Sequence, residues 1–305
     1  MQKLLLFTVL AFALTFSACT EDKFSQVVDI PIPEHTSLPV IALEILSGDT
    51  ILYPLLSRSY GITEDEPTGT DPNTLRFFKN GELIGEVTST IDALRFDRPS
   101  LALAEPIDDS EAIYEVVGEV AGYGTATATQ VMPAPPVFRV VSFEREGAID
   151  EEGFRLDEAI IEIQDPAGID NYYGFSIKNR FIQQFDCDTL TPPNCDTIFG
   201  TNTTFVTSPD PLLTYGGNYG LVVTDQSFAG STYRIRVQFN SSRDVPPVLE
   251  VYSLTEDTYR YAVSFEAYQD ARDNPFSEPV SVHNNIDDGY GFFLISNRKS
   301  EELFE

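Results

Sequence analysis

Residues 74–87, with the sequence TLRFFK-NG-ELIGEV, carry the clearest folding signal in the chain. Two runs of strand-forming residues flank Asn80-Gly81. Both turn residues readily adopt the positive φ angles that a two-residue hairpin turn requires. The stretch therefore predicts an antiparallel hairpin with strands at 74–79 and 82–87.

Further strand-like runs lie on both sides of this hairpin, at 40–46, 50–57, 114–120 and 125–129. In the third of these runs, Tyr114 and Val116 alternate with more polar positions, which is the period of a strand with one buried face. About seven short strands in roughly 100 residues are typical of an immunoglobulin-like or fibronectin-like sandwich. We predict such a sandwich over residues 37–134, where a proline cluster ends it.

A second β-rich region is predicted over residues 137–305. Its clearest strands are 137–143, 160–164, 172–178, 219–223 and 233–239. The last of these alternates strictly between apolar and polar residues, as expected for an antiparallel sheet with one solvated face. The fold class predicted for the whole chain is mainly β.

One helix is predicted, over residues 256–273. Thr255 can cap its start, and Glu256 and Asp257 suit the positive end of the helix dipole. Apolar side chains fall on two sides of it, at Tyr261, Phe265 and Tyr268 and at Tyr259 and Val263. A helix that is apolar on two sides is covered on both, or offers one side to a partner.

The first 24 residues have the pattern of an export signal. Lys3 precedes an apolar run that is too short to span a bilayer, and small residues lead to Cys19. Ser17-Ala18-Cys19 resembles the lipobox of bacterial lipoproteins, in which the cysteine is acylated and becomes the new N-terminus. We predict a signal peptide at 1–18, lipidation at Cys19 and a tether over 19–36. The alternative is an ordinary signal peptide with an incidental cysteine.

The chain is strongly acidic, with 48 Asp and Glu against 19 Lys and Arg and a formal net charge of −29. Such a field repels nucleic acid and anionic lipid, so neither is expected as a partner. It also attracts cations, although high acidity more often only keeps an exposed protein dispersed.

Two cysteines remain after Cys19 is assigned to the lipid. Cys187 and Cys195 enclose a short loop, which in an exported protein predicts a disulfide. A metal site is the competing interpretation, but the chain has only His35 and His283 as imidazole ligands. Calcium could bind Asp186 with Asp188 or Asp287 with Asp288, yet neither pair matches an EF-hand loop.

Motifs of enzyme chemistry are absent from the sequence. It contains neither a G-x-S-x-G elbow nor an H-E-x-x-H pair of metal ligands. A pair of carboxylates for glycoside hydrolysis remains open, because 48 acidic residues make any single choice uninformative. We therefore predict a non-catalytic protein without a cofactor, and the ligand-binding residues stay unknown.

Several ordered blocks carry a resemblance to a known family. These are 165–168 with 171–173, 225 with 228–230 and 233, 259–261 with 274–280, and 285–292. Their order resembles the Bacteroidetes lipoprotein family known as domain of unknown function 4249. The acidic residues after Cys19 are similar to the signal that sends such lipoproteins to the cell surface. The resemblance implies a setting beside TonB-dependent transporters and carries no catalytic residue.

Three short Asp-Thr-aliphatic sequences, 49–51, 188–190 and 196–198, are also similar to the O-glycosylation sites of Bacteroidetes. The block at 165–168 and the one at 285–289 are interpreted as turns, because Pro, Gly and Asn there suit backbone geometry. A final strand is predicted after the second turn, over residues 291–295.

The sequence thus favours an outer-membrane surface lipoprotein that assists a TonB-dependent transporter in nutrient capture. Two alternatives remain at this stage. One is an adhesin or structural surface protein that uses the sandwich as a spacer, and the other is a hydrolase with an unrecognised carboxylate site.

Overall fold

The computed structural model describes residues 34–91, 99–108, 111–185, 196–242, 245–272, 274 and 276–304. Its longer strands are β1 (Pro39–Leu46), β4 (Asn73–Lys79), β5 (Glu82–Ser89), β7 (Ile113–Val120), β8 (Gly124–Val131), β9 (Phe138–Ile149), β10 (Arg155–Gln164), β11 (Tyr172–Phe185), β12 (Asp196–Thr204), β16 (Thr232–Phe239), β17 (Val248–Leu254) and β18 (Tyr290–Glu302). Its shorter strands are β2 (Ile51–Leu52), β3 (Leu55–Arg58), β6 (Leu101–Ala102), β13 (Val206–Thr207), β14 (Thr214–Tyr215) and β15 (Leu221–Thr224). The long helix is α1 (Glu256–Arg272).

The chain divides into two compact units. The larger consists of Thr36–Tyr60 with Glu64–Glu305, and every element named above lies in it. The smaller consists of Met1–His35 with Gly61–Thr63. Its described residues, 34–35 and 61–63, form no strand or helix.

The predicted hairpin forms as β4 and β5. Asn80 and Gly81 both have positive φ, 51° and 82°, as a tight hairpin turn between twisted strands requires. The pair belongs to a four-stranded antiparallel sheet with the order β5-β4-β7-β8. Alternation in β4 and β7 directs Leu75, Phe77 and Val116 into a first hydrophobic core.

The largest sheet has eight strands and contains segments from both halves of the sequence. Its order is β14-β15-β11-β17-β18-β1-β3, with β12 paired to β11. At one end, Leu43 of β1 and Phe293 of β18 join the first core. At the other end, β11 and β17 join a second core with the four-stranded sheet β13-β16-β10-β9. The sheet therefore contributes to two sandwiches.

The pairing of β1 with β18 is parallel, whereas the other named strand pairs of the described residues are antiparallel. It runs over seven residue pairs, from Val40↔Tyr290 to Leu46↔Ser296. Gly291 makes the close approach possible, since a Cβ there would lie 1.9 Å from the carbonyl oxygen of Ile41.

Helix α1 is covered on one side by the large sheet. Tyr259 packs on Tyr172 with ring centroids 5.2 Å apart, and Val263 contacts the same cluster. The second apolar side also contacts this sheet, because the ring of Tyr261 lies 4.5 Å from that of Phe292 in β18 and stacks on Phe265, while Tyr268 is 37% exposed. The cap at Thr255 is confirmed, because its Oγ accepts the amide hydrogen of Thr258 at 3.2 Å.

The predicted fold class is confirmed: the chain is mainly β, with several antiparallel sheets and one long helix among the described residues. Strand β17 was missed by the sequence reasoning. Six of its seven residues are buried, so the apolar and polar alternation that marks a strand with one wet face is missing. The boundary predicted at 134–137 falls between β8 and β9, and the separation into two domains stays a prediction.

Candidate functional site

A pocket of about 590 Å³ lies between the β4–β5 hairpin and the segment that follows β6. Its volume falls in the range of small-molecule sites. The lining residues are Lys79, Asn80, Glu82, Leu83, Ile84, Leu103, Ala104, Glu105, Pro106, Ile107 and Tyr114. We refer to it as the hairpin pocket.

Strand pairing places two polar side chains of the hairpin pocket next to each other. Lys79 at the end of β4 is the direct partner of Tyr114 in β7. Residues that are directly opposite in an antiparallel pair project on the same face of the sheet. The ring of Tyr114 is fixed by stacking on Phe77, with centroids 5.6 Å apart and planes within 10°.

The opposite wall is held by the backbone. The amide of Leu103 donates to Thr50 at 2.9 Å, and the amide of Ile107 donates to Asp49 at 2.8 Å. The carbonyl of Ile107 accepts from Gly48 at 2.7 Å. Three backbone hydrogen bonds therefore fix this segment to the turn after β1, so its apolar side chains form a defined surface.

The Tyr114 hydroxyl is the unusual group of the hairpin pocket. The side chain is fully buried, and the hydroxyl has no hydrogen-bond partner among the residues that the structure describes. Asp108 lies beside this hydroxyl, and its carboxylate acts on it. Burial first, and this carboxylate second, raise the pKa of Tyr114 to about 12, so the phenol is a protonated donor at neutral pH. Buried hydroxyls normally have a partner.

Charges around the pocket are mainly negative. Lys79 forms an ion pair with Asp108, and Glu82 and Glu105 are exposed among the lining residues. The Lys79 and Asp108 side chains are 28% and 43% exposed. A pair this exposed contributes little to stability.

The face of the large sheet on the α1 side carries a second polar cluster. Glu250 is 7% exposed and accepts from Tyr252 at 2.5 Å and from Arg298 at 3.2 Å, while Lys178 lies 3.6 Å away. Burial, followed by the hydrogen bond to Glu250, raises the pKa of Tyr252. Every charge in the cluster has a partner, so its arrangement is that of a structural network.

His283 is one of the two histidines of the chain, and its side-chain partner is a carboxylate of helix α1. Its Nε2 lies 2.7 Å from Oδ1 of Asp257 in the first turn of α1. Burial opposes the charged form of Asp257, but hydrogen bonds with His283 and Gln130 outweigh it and lower the pKa of this carboxyl. Ser264 accepts the backbone amide hydrogen of His283 at 2.8 Å and donates its hydroxyl to the carbonyl oxygen of Tyr261 at 3.1 Å, so this hydroxyl is engaged with the backbone.

The blocks that carried the family resemblance are joined to one another in space. Asp165 accepts from the Tyr173 hydroxyl and from the Gly230 amide, each at 2.7 Å. Asp225 accepts from the backbone amide of Asn171 at 2.9 Å. Both carboxylates thus hold backbone amides, which agrees with the interpretation of residues 165–168 as a turn. Gly168 has a φ of +92°, as its predicted place in a turn requires.

Several predicted site residues lie outside the described residues. These are Cys19, Cys187 and Cys195, together with Asp186 and Asp188. The predicted lipidation and disulfide therefore stay predictions. Of the three glycosylation-like sequences, Asp49-Thr50-Ile51 is fully described, and Thr50 in it is exposed.

No group of three or more His, Cys, Asp or Glu side chains in the described ranges is arranged to hold a metal ion. Within the same ranges, no helix is both long enough and apolar enough to cross a membrane.

The hairpin pocket was not predicted from the sequence. The alternation at residues 114–120 predicts that the side chain of Tyr114 faces the core, but it does not show which strand pairs with this one. The pairing of β4 with β7 spans about 35 positions, and no local signal specifies it.

Comparison with curated proteins gives no significant match to this sequence. Comparison with family profiles gives a match over residues 55–302, to a family described as a domain of unknown function, DUF4249. Because this match covers well over half of the sequence, the chain belongs to the DUF4249 family.

Proposed function

We propose that this protein is a non-catalytic lipoprotein of the outer-membrane surface that holds a small molecule in the hairpin pocket and assists a TonB-dependent transporter in nutrient capture. The observation that carries the proposal is the pocket itself. It has a ligand-sized volume and a lining that includes the aliphatic side chains of Leu83, Ile84 and Leu103.

The chemistry of the described residues supports binding over catalysis. Asp257 and His283 are held by each other, by Gln130 and by Ser264, and the buried Glu250 is satisfied by Tyr252 and Arg298. Perturbed groups of this kind occur in structural networks as well as in active sites. None of them lines the hairpin pocket.

The anchor at Cys19 and the surface location are proposed from the sequence and from the resemblance to Bacteroidetes lipoproteins. A short apolar run, small residues and one cysteine support acylation.

Co-purification tests the transporter partnership. After mild detergent extraction of membranes, the protein should be recovered together with a TonB-dependent barrel, and mass spectrometry should find an acylated Cys19 at its N-terminus. The matched control is Cys19→Ala, which should lose both the acyl group and the barrel. Repeated recovery of the acylated protein alone would count against the partnership, and an unmodified terminus downstream of Cys19 would exclude the anchor.

A growth and attachment assay separates this function from that of an adhesin. Deletion should slow growth on the substrate of the partner transporter and leave surface attachment unchanged. Loss of attachment with normal growth on every substrate would favour the adhesin.

A further inference from the structure

A second pocket, of about 360 Å³, lies beside β1 on the face of the large sheet that is opposite the first core. Alternation along β1 explains this location, because Ile41, Leu43 and Ile45 are buried in the first core and the residues between them project to the other side. The lining residues are Ala42, Glu44, Asp49, Ile51, Leu52, Tyr53, Leu55 and Phe292. We refer to it as the Glu44 pocket, and its volume is in the range of small-molecule sites.

Aromatic rings form one side of the Glu44 pocket. Phe292 belongs to the lining, and the ring of Tyr261 in α1 lies 4.5 Å from it. Phe265 continues this row, with its centroid 5.6 Å from that of Tyr261. Tyr53 also lines the pocket and is 58% exposed, so its ring is open to solvent. The faces of such rings carry partial negative charge and attract a cation.

The Glu44 carboxylate is half-buried and has no cationic partner among the described residues. Its Oε1 accepts a hydrogen bond from the Tyr219 hydroxyl at 2.7 Å, which leaves the negative charge uncompensated. Glu250, on the same face of the sheet, is instead paired with both Arg298 and Lys178. A partly buried charge without a counter-ion is unfavourable, so a bound cation would stabilise Glu44.

The other charges at the Glu44 pocket also favour a cation. Asp49, whose Oδ2 accepts the amide hydrogen of Leu46 at 2.9 Å, adds a second carboxylate to the lining. The described residues that line the pocket include no Lys, Arg or His. Arg298 acts on Asp49 from outside the lining and is itself paired with Glu250. The formal charge of −29 on the whole chain adds a long-range attraction for cations.

We propose that the Glu44 pocket binds an organic ammonium ion, whose charged group lies against the Glu44 carboxylate and whose apolar body lies against Tyr53 and Phe292. The aliphatic and aromatic lining favours an organic cation over an inorganic one, because only an organic cation has apolar surface to remove from water. The Glu44 pocket shares no lining residue with the hairpin pocket. The inference therefore goes beyond the proposed function and does not depend on it.

Three probes with the same apolar body test the proposal: 3-phenylpropan-1-amine, which is a cation at neutral pH, 3-phenylpropan-1-ol, which is uncharged, and 3-phenylpropanoate, which is an anion. They are titrated by calorimetry into the full protein in nanodiscs of zwitterionic lipid, with empty discs subtracted. The amine should bind about tenfold more tightly than the alcohol, which is the lower value for a hydrogen bond to a charged group. The anion should bind more weakly than the alcohol. Equal affinity for the amine and the alcohol would overturn the proposal.

Glu44→Gln assigns the preference to one carboxylate. The amide keeps an acceptor for Tyr219 and removes the negative charge, so the variant should lose the preference for the amine and bind the alcohol as the wild type does. Glu301→Gln is the matched control, because it removes one negative charge from an exposed position of β18 outside the lining, and it should keep the preference. An unchanged preference in Glu44→Gln would overturn the proposal, as would an equal loss in the two variants.

Tyr53→Ala tests the aromatic wall, and it replaces a mostly exposed side chain rather than a core residue. Both the amine and the alcohol should bind the variant more weakly, because they share the apolar body that contacts this ring. Wild-type affinity of Tyr53→Ala for both probes would exclude the Glu44 pocket as their site.

Discussion

At the scale of residues, the hydroxyls of two buried tyrosines have opposite surroundings. The Tyr173 hydroxyl donates to Asp165 at 2.7 Å, whereas the Tyr114 hydroxyl has no partner among the described residues. Burial, followed by the Asp165 carboxylate, also raises the pKa of Tyr173. Substitution of Tyr173 by phenylalanine therefore removes an existing hydrogen bond. The same substitution of Tyr114 removes a hydroxyl that makes none with the described residues.

We expect Tyr173→Phe to lower the free energy of unfolding by about 1–3 kcal/mol, because it leaves the buried Asp165 carboxylate with one donor fewer. Tyr114→Phe should stay within about 0.5 kcal/mol of wild type when no ligand is present. Urea unfolding measures both. An equal loss in the two variants would mean that the Tyr114 hydroxyl has a structural partner.

The lowered pKa of Asp257 predicts a specific pH dependence. A carboxyl whose pKa is depressed in the folded state adds stability at pH values above its unfolded pKa of about 3.9, and this contribution is lost as the pH falls through the folded value. Asp257→Asn should therefore be less stable than wild type at pH 6, and the difference should shrink below pH 4. Urea midpoints from pH 6 to pH 2.5 give the test. Asp270→Asn, on the same helix and exposed, is the control, and a gap that stayed constant with pH would contradict the prediction.

At residue scale the site was only partly predictable from the sequence. The inward row that contains Tyr114 was predictable from alternation, and so was the turn at Asn80-Gly81. The meeting of Lys79 with Tyr114, and of His283 with Asp257, depends on pairings that are distant in the chain.

At the scale of elements, local signals were sufficient for several elements that have one solvent-exposed face. The β4–β5 hairpin, β16 and α1 were predicted close to their observed bounds. Strand β17 was missed because it is buried on both faces. The final strand was predicted only from 291 to 295, and β18 continues to Glu302, since its polar second half pairs with β17.

Gly291 is a position where the addition of one methyl group should disrupt the pairing of β18 with β1. An alanine Cβ would lie 1.9 Å from the backbone oxygen of Ile41, at a φ of +113°. Gly48 is the matched control, since it also has a positive φ of +92° but nothing within 4 Å of the added atom. We expect Gly48→Ala to lower the free energy of unfolding by about 1 kcal/mol and Gly291→Ala by more than about 3 kcal/mol. Thermal melts compare them, and equal losses would show that φ strain alone acts at Gly291.

At the scale of the whole molecule, the eight-stranded sheet makes the two predicted domains depend on each other. Strands β1 and β3 come from the first, and β18 from the second. Phe293 and Ile295 of β18 are buried in the first core. The pairing of β1 with β18 could not be predicted from either half of the sequence, because parallel strands are not joined by a short turn whose residues would indicate the pairing.

A fragment of residues 137–305 should therefore fail to behave as an independent domain. Without β1, the backbone edge of β18 is unpaired. Phe293, which is buried in the intact protein, then becomes exposed, and both changes favour association of the fragments. We expect size-exclusion chromatography to show aggregates or dimers of the fragment at concentrations where residues 36–305 remain monomeric. A monomeric fragment that unfolds cooperatively would support the predicted domain boundary instead.

The parallel ladder between β1 and β18 also has a mechanical meaning for a chain tethered at its start, as proposed here. A pull on the segment before Pro39 acts along β1, so it loads the seven registered pairs with β18 in shear, together with the four pairs that join β1 to β3. Under shear, the hydrogen bonds of all these residue pairs are loaded simultaneously, whereas peeling breaks them one after another. The strand nearest the tether would thus resist extraction by drag or by a moving partner, and force spectroscopy with the handle at the N-terminus should record a high rupture force there.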